Sequence, residues 1–291
     1  MTTGASRAAQ RTTRTLLIFR VAATGRRLLP RGGVSLVRRS PAASRLRRIL
    51  SDAAPDGVRC IEVCGGRLKG ASLFVDLACE KYYWLGTHEE LVQDAMAAQV
   101  GAGFTVYDVG AHVGFFTLLA SRLAGADGRV IAFEPRPDNV ERLRRNIEAN
   151  GARNVEVVAA AASDCDGTAA FVMHESTLEG RLAAATERST ASVPTATIDA
   201  LVCDGMRPPD LVKMDVEGAE GAVIRGAART IDAHRPALLI EVHSPEAGRE
   251  VADAIPCRYT FCDLATGIET GAPDLAAHYL ALPVVGPGRL A

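Results

Sequence analysis

The chain has 291 residues, 48% of them hydrophobic, enough to bury a large core as one domain with extensions or as two small domains. Its formal net charge of −1 hides a lopsided distribution: residues 1 to 50 hold twelve Arg and no acid, leaving 33 − 12 = 21 basic residues against 34 acidic ones in the rest. An acidic body argues against a nucleic-acid-binding face, seven scattered Cys without a C-x-x-C pair argue against a disulfide framework or zinc site, and no apolar run reaches the roughly 18 to 20 residues needed to cross a bilayer.

Residues 1–57 read as a basic, partly ordered extension in which Arg alternates with short apolar clusters broken by Gly25, Pro30, Gly32 and Gly33. This composition suits an arm resting on an anionic membrane surface, an organelle transit peptide or a simple extension, and no chemistry is assigned to it. The expectation is a cytoplasmic protein with peripheral membrane contact through that arm, and the oligomeric state is not legible. Val58 to Leu77 carries two alternating runs separated by Gly-rich turns, which predicts short antiparallel strands forming a small β cap over residues 58–84, with the core over 85–291. Tyr82, Tyr83 and Trp84 read as packing aromatics. A helix follows, with Leu91, Val92, Ala95, Met96 and Val100 on one face and Glu89 and Glu90 in its first turn, where the helix dipole favours acids.

The stretch TVYDVGAHVGFFT, residues 105–117, reads as strand, tight turn and helix. Gly110 and Gly114 let the backbone approach a ligand, and the first amides of the new helix suit a carboxylate or phosphate. Asp108 sets an anion beside that pocket, which fits a zwitterion better than a pyrophosphate. The G-x-G-x-x-G dinucleotide fingerprint is absent. A second strand, Val130 to Phe133, ends at Glu134, about 20 residues past the turn, where a doubly wound fold places the carboxylate that holds ribose hydroxyls. A third strand, NVEVVAAAASD, is expected to run to Ser163 and Asp164. That places Asp164 at the carboxyl edge of the sheet beside an adenine position, or makes it a turn former ahead of Gly167. The polar, Ala-rich residues 174–192 read as a lid or substrate loop, with His174 on its surface.

DLVKMDVEGAE then gives a fourth strand whose end crowds Lys213, Asp215, Glu217 and Glu220, three acids and a lysine on a strand that otherwise reads as buried. RPALLIEVH is a fifth strand with Glu241 and His243 near its carboxyl end, where open α/β sheets bind ligands. CRYTFCDL and AHYLALP are expected to close the sheet as an antiparallel pair.

Taken together, LGTHE, VYDVGAHVGFFT, VIAFEPRPDNVERLRRNIEAN, ATIDAL, DLVKMDVEGAE and ALLIEVH, running in this order from Leu85 to His243, resemble the FkbM family of S-adenosylmethionine-dependent methyltransferases. Two departures stand out: His112 occupies a position where the family commonly has Asn, and His88 one where it commonly has an aromatic. The resemblance implies a Rossmann-like, seven-stranded class I methyltransferase fold and O-methylation, often of sugar or polyketide hydroxyls. It places Asp108, Gly110 and Gly114 around the methionine part of S-adenosyl-L-methionine, Glu134 on the ribose and Asp164 near the adenine, and His112, within the same turn, is counted among the cofactor-binding residues. Methyl transfer from a sulfonium is an in-line displacement, so Asp215, Glu217 and His243 are the candidates for aligning a hydroxyl and taking its proton. Glu89, Lys213 and Glu220 are assigned to the acceptor, a small glycan, lipid-linked sugar or secondary metabolite. A divalent ion beside these carboxylates is chemically reasonable, but no metal ligand is assigned. Two rival readings are a nicotinamide-dependent oxidoreductase, opposed by the absent fingerprint, and an inactive binding module of the same fold, opposed by the survival of the acids.

Overall fold

In this computed structural model the described residues are 57–173, 180–182 and 191–284. The leader lies outside them apart from Gly57, and so do residues 174–179 and 183–190, the greater part of the expected lid, His174 included. Among the described residues no helix is long and apolar enough to cross a membrane. The chain divides into two compact units between His88 and Glu89.

In the first unit, β1 (Val58–Glu62) and β2 (Ser72–Asp76) pair antiparallel, Val58 opposite Asp76, as the alternating runs led one to expect. The aromatics of residues 82–84 lie on a short helix, α1 (Lys81–Leu85), with Tyr83 and Trp84 buried and Tyr82 exposed. Gly86 closes that helix in the left-handed region at φ 67°, and a Cβ there would meet the Gly65 carbonyl oxygen at 1.9 Å, so the glycine of LGTHE is sterically required.

The second unit begins with α2 (Glu90–Gln99). Val92, Ala95 and Met96 are buried as the periodicity predicts, but Leu91 is 49% exposed and Gln93 only 2%, so the inner face is rotated from the expected one. Glu89 is the residue before the helix rather than part of its first turn, and its backbone is left-handed, φ 42°. The next elements are β3 (Thr105–Val109), α3 (Phe115–Ala124), β4 (Arg129–Phe133), α4 (Pro137–Ala149) and β5 (Val155–Val158). The run expected as one third strand breaks after Val158: the Ala160 amide bonds back to the Val158 carbonyl, and Ala161–Ala162 forms β6 of a separate sheet. That sheet, ordered β6-β9-β7-β8, also holds β7 (Gly167–Met173), β8 (Gly180–Leu182) and β9 (Ala191–Ala196).

From α5 (Ile198–Cys203) the chain returns to the main sheet through β10 (Leu211–Met214), α6 (Glu220–Gly226), α7 (Ala228–His234), β11 (Ala237–Val242), α8 (Pro245–Ala254), β12 (Tyr259–Asp263), β13 (Glu269–Thr270) and β14 (Ala277–Pro283). The main sheet runs β13-β12-β14-β11-β10-β3-β4-β5. Leaving aside the two-residue edge strand β13, this is a seven-stranded doubly wound sheet of the expected class, with β14 antiparallel between β11 and β12. One face buries Tyr107, Val109, Ile131, Phe133, Met214 and Ile240 under Ile198, Val223, Ile231 and Val251 of α5 to α8. On β3 the alternate residue, Asp108, faces the opposite side, where Thr117 of α3 meets it.

Candidate active site

Gly110, Glu134, Asp215 and His243 each directly follow a strand, namely β3, β4, β10 and β11. These four strands are parallel neighbours, so the four residues stand in a row along the carboxyl edge. The chain leaves β3 for β4 on one side and later places β10 on the other, which makes the gap after β3 the topological switch point where open α/β sheets bind ligands.

On the β4 side, the Gly110 and Ala111 amides bond to the Phe133 carbonyl, and the His112 amide donates to Glu134 Oε2 at 2.9 Å. Glu134 Oε1 accepts from the Arg136 amide at 2.9 Å and from Asn139 Nδ2 at 3.3 Å. Burial pushes the Glu134 carboxyl up, against the pull of these donors. Gly110 has φ 83°, and a Cβ there would meet the Asp215 carbonyl oxygen at 1.9 Å. The end of β10 by itself therefore demands glycine here. At Gly114, φ 91°, a Cβ would strike Leu143 Cδ1 at 2.4 Å. Asp108 is wholly buried, with Oδ2 accepting from the Thr117 hydroxyl at 2.6 Å and Oδ1 3.7 Å from Lys213 Nζ, so its carboxylate supports the turn from behind. Asp164 follows β6, not β5, and pairs with Arg225 at 2.9 Å.

On the β10 and β11 side the register explains the contacts. Lys213 is the cross-strand neighbour of Asp108, and Glu241 that of His278 on β14. Lys213 is 4% exposed and lies over the Phe116 ring, its ammonium 3.7 Å from Asp108 and 3.5 Å from Asp215. Burial alone would lower its pKa, but the two aspartates hold it above the ordinary lysine range. Burial carries Asp215 above the usual carboxylate range despite Lys213, with Glu241 and Glu89 adding to the rise. Glu220, at the start of α6, is wholly buried; its Oε1 accepts from His243 Nδ1 at 2.8 Å and from the Gly218 amide at 3.0 Å. His243 Nε2 faces Glu217 at 3.2 Å, Asp215 at 3.7 Å and Glu241 at 3.8 Å. Burial would lower the imidazole's pKa, but Glu220 and these carboxylates push it up to about 9. His278 lies 3.2 Å from Glu241 and 3.5 Å from Glu89, and the same contest carries it to about 10.

Lys213 and Glu220, expected at the acceptor, are therefore turned inward on the aspartates and on His243: each sits where strand register or the first turn of α6 points it into the core. The carboxylates around His243 favour its protonated form. Glu89 joins the cluster, as does Glu241, to which the sequence alone assigns no role. His278 was missed, because β14 arrives antiparallel from the far end of the chain and only its pairing with β11 brings it to Glu241. Thr117 could have been found from its place in the first turn after Gly114, one turn above a strand-end acid. Ligand atoms of Asp215, Glu241 and His243 lie within 4.8 Å of one another, as do those of Glu89, Glu241 and His278. The edge thus combines an anchored carboxylate and glycine turn on one side with proton-accepting or cation-holding groups on the other.

Hexuronic acid methyltransferase AglP of Haloferax volcanii is 30% identical over 140 residues, which is 48% of this chain and 56% of that protein. The arsenite methyltransferase of Halobacterium salinarum is 39% identical over 59 residues, 20% of this chain and 15% of that one. The chain thus spans little more than half the length of the first of these curated relatives and far less of the second. Among solved structures, methyltransferase FkbM from Methylobacillus flagellatus is similar at 21% identity over 62% of this chain and 43% of that one, TM-score 0.42. Aeropyrum pernix fibrillarin, solved with bound S-adenosyl-L-methionine, is similar at 13% identity over 65% and 74%, TM-score 0.41. A family model described as the methyltransferase FkbM domain matches residues 108–263, more than half of the sequence and the whole of the edge from Asp108 to His243, and the chain belongs to the FkbM methyltransferase family.

Proposed function

We propose that this chain transfers a methyl group from S-adenosyl-L-methionine to a hydroxyl of a small glycan, lipid-linked sugar or secondary metabolite. The observation that carries the reading is the junction of two strand ends: the Gly110 turn packs on the Asp215 carbonyl, and Lys213 ties Asp108 to Asp215. A cofactor held at the turn and a hydroxyl held at the acids would meet at the switch point. The residues fit that cofactor. Glu134 is a buried carboxylate at the end of β4, its charge disfavoured by burial, and ribose hydroxyls would supply donors that offset this cost. Asp164, through its pair with Arg225, is proposed to border the adenine.

When bound, the cofactor supplies a methyl group on a positively charged sulfur. The chain's own part is to hold the acceptor oxygen in line with that methyl and to take the hydroxyl proton as the new O–C bond forms and the S–C bond breaks. Asp215, Glu217 and His243 are the groups proposed to take the proton, the carboxylates first, since the acids around His243 favour its protonated form. Acceptor hydroxyls have carboxylate partners to donate to in Glu89, Glu217 and Glu241, which favours a polyhydroxyl acceptor. The similarity to AglP, a hexuronic acid methyltransferase, supports a sugar acceptor.

Calorimetric titration with S-adenosyl-L-methionine and, separately, with NAD tests the cofactor; the expected result is saturable binding of the first alone. Labelled-methyl transfer into fractionated cell extract, with mass identification of the product, tests the reaction. Binding without transfer to any fraction would favour the inactive module, and folded protein that ignores the cofactor would sink the reading.

A further inference from the structure

We propose that Asp215 Oδ1, Glu241 Oε1 and His243 Nε2, at the ends of β10 and β11, form a site for a divalent transition-metal ion. His243 Nε2 stands 3.7 Å from Asp215 Oδ1 and 3.8 Å from Glu241 Oε1. These two separations exceed those of a good N–H···O bond, about 2.7 to 3.2 Å, whereas Glu217 Oε2, 3.2 Å from Nε2, lies at the outer limit of that range. The two longer separations match the distance between two ligands that share one ion, about 3 to 4 Å when each is about 2.1 Å from it.

A second observation stands behind the cluster. Glu220, wholly buried, takes His243 Nδ1 on Oε1, which turns Nε2 toward the other carboxylates. A carboxylate on the far nitrogen is the usual support of a metal-binding imidazole. The other oxygen of that buried group, Oε2, has no hydrogen-bond donor among the described residues. Even with Lys213, His243 and His278 counted, the carboxylates of Glu89, Asp108, Asp215, Glu217, Glu220 and Glu241 outnumber the basic groups around them. The neighbouring trio of Glu89, Glu241 and His278 shares Glu241, but His278 already takes Oε2 of that residue at 3.2 Å, leaving Oε1 on the His243 side.

One nitrogen and two carboxylate oxygens suit Mn²⁺, Fe²⁺ or Zn²⁺ better than Ca²⁺. The ion's use rests on the methyl-transfer reading: an acceptor hydroxyl on an open coordination position would be more acidic, and its proton would pass to Glu217, Oε2 of which is 3.2 Å from His243 Nε2. Binding of the ion does not depend on that reading.

The test uses the full chain, stripped with chelator and titrated with Mn²⁺ alone, followed by electron paramagnetic resonance. One bound Mn²⁺ per chain is expected, with nitrogen coupling from a directly bound imidazole in the pulsed spectrum. His243→Gln and Glu241→Gln should each weaken binding about tenfold or more, and His278→Gln less than either. Absence of binding at millimolar Mn²⁺, binding without nitrogen coupling, or a greater loss in His278→Gln than in His243→Gln would each overturn the site. Even where a variant fails to fold, absence of nitrogen coupling in the wild-type protein overturns the site. Cofactor titration on separate samples keeps the two proposals apart, since Mn²⁺ binding with no affinity for S-adenosyl-L-methionine would sink methyl transfer and leave the ion site standing.

Discussion

The two halves of the carboxyl edge hold their acids by opposite means. Beyond β4, Glu134 is fixed by the His112 and Arg136 amides and the Asn139 side chain, while Asp108 takes the Thr117 hydroxyl. Beyond β10 and β11, carboxylates are held against basic, titratable partners: Asp215 by Lys213, Glu220 by His243, Glu241 by His278. Backbone donors are permanent, so the first half is preorganised. Titratable partners depend on protonation and on what is bound, so the second half has the adjustable state that proton transfer or ion binding uses. Gly110 and Lys213 join the halves, and breaking either joint should be felt in both.

The harshest way to break the comparison is Gly110→Val, which needs a left-handed backbone and pushes Cβ into the Asp215 carbonyl. A loss of more than about 3 kcal/mol of stability is expected, with cofactor binding and turnover falling together. Thermal unfolding and calorimetry check it, and a stable variant that still binds cofactor would show that the halves are independent. Asp215→Asn should act on one half alone, slowing methyl transfer about a hundredfold or more in single-turnover assays while cofactor affinity stays within about threefold. Glu134→Ala is its mirror image: cofactor binding should weaken by about 1.5 to 3 kcal/mol, and the His112 and Arg136 amides lose their acceptor. Equal affinity in the folded variant would remove Glu134 from the cofactor site.

A control away from both halves has the smallest expected effect. Asp199 on α5 accepts from the Arg229 and Thr230 amides and the Thr230 hydroxyl at the start of α7. Burial alone would raise its pKa, but these donors prevail and hold it below the usual 3.8. Its stabilisation is therefore present above pH 3.8 and lost as pH falls through the lower folded value. Asp199→Ala should cost about 1 to 2 kcal/mol at neutral pH. The melting-temperature gap from wild type should close in acid, with no change in cofactor affinity.

The alternation of apolar residues, the glycine turn after β3 and the acids after β4 and β10 were legible because each is local. A strand that ends in a turn and reopens as a helix leaves its signature within a dozen residues, and parallel strands then carry their ends to one edge. Glu134, Asp215 and His243 follow from that rule. Which strand neighbours which lay beyond it. The β11–β14 pairing brings His278 to Glu241, and the β3–β10 register turns Lys213 inward on Asp108. The end of β10 makes Gly110 obligatory, and the break after Val158 moves Asp164 off the main sheet. By itself the sequence determined which residues stand at strand ends, because strand and turn propensities act over neighbouring positions. Only the tertiary structure decided which of them face one another and which are buried, because a side chain's partner is set by the pairing of strands distant in the chain.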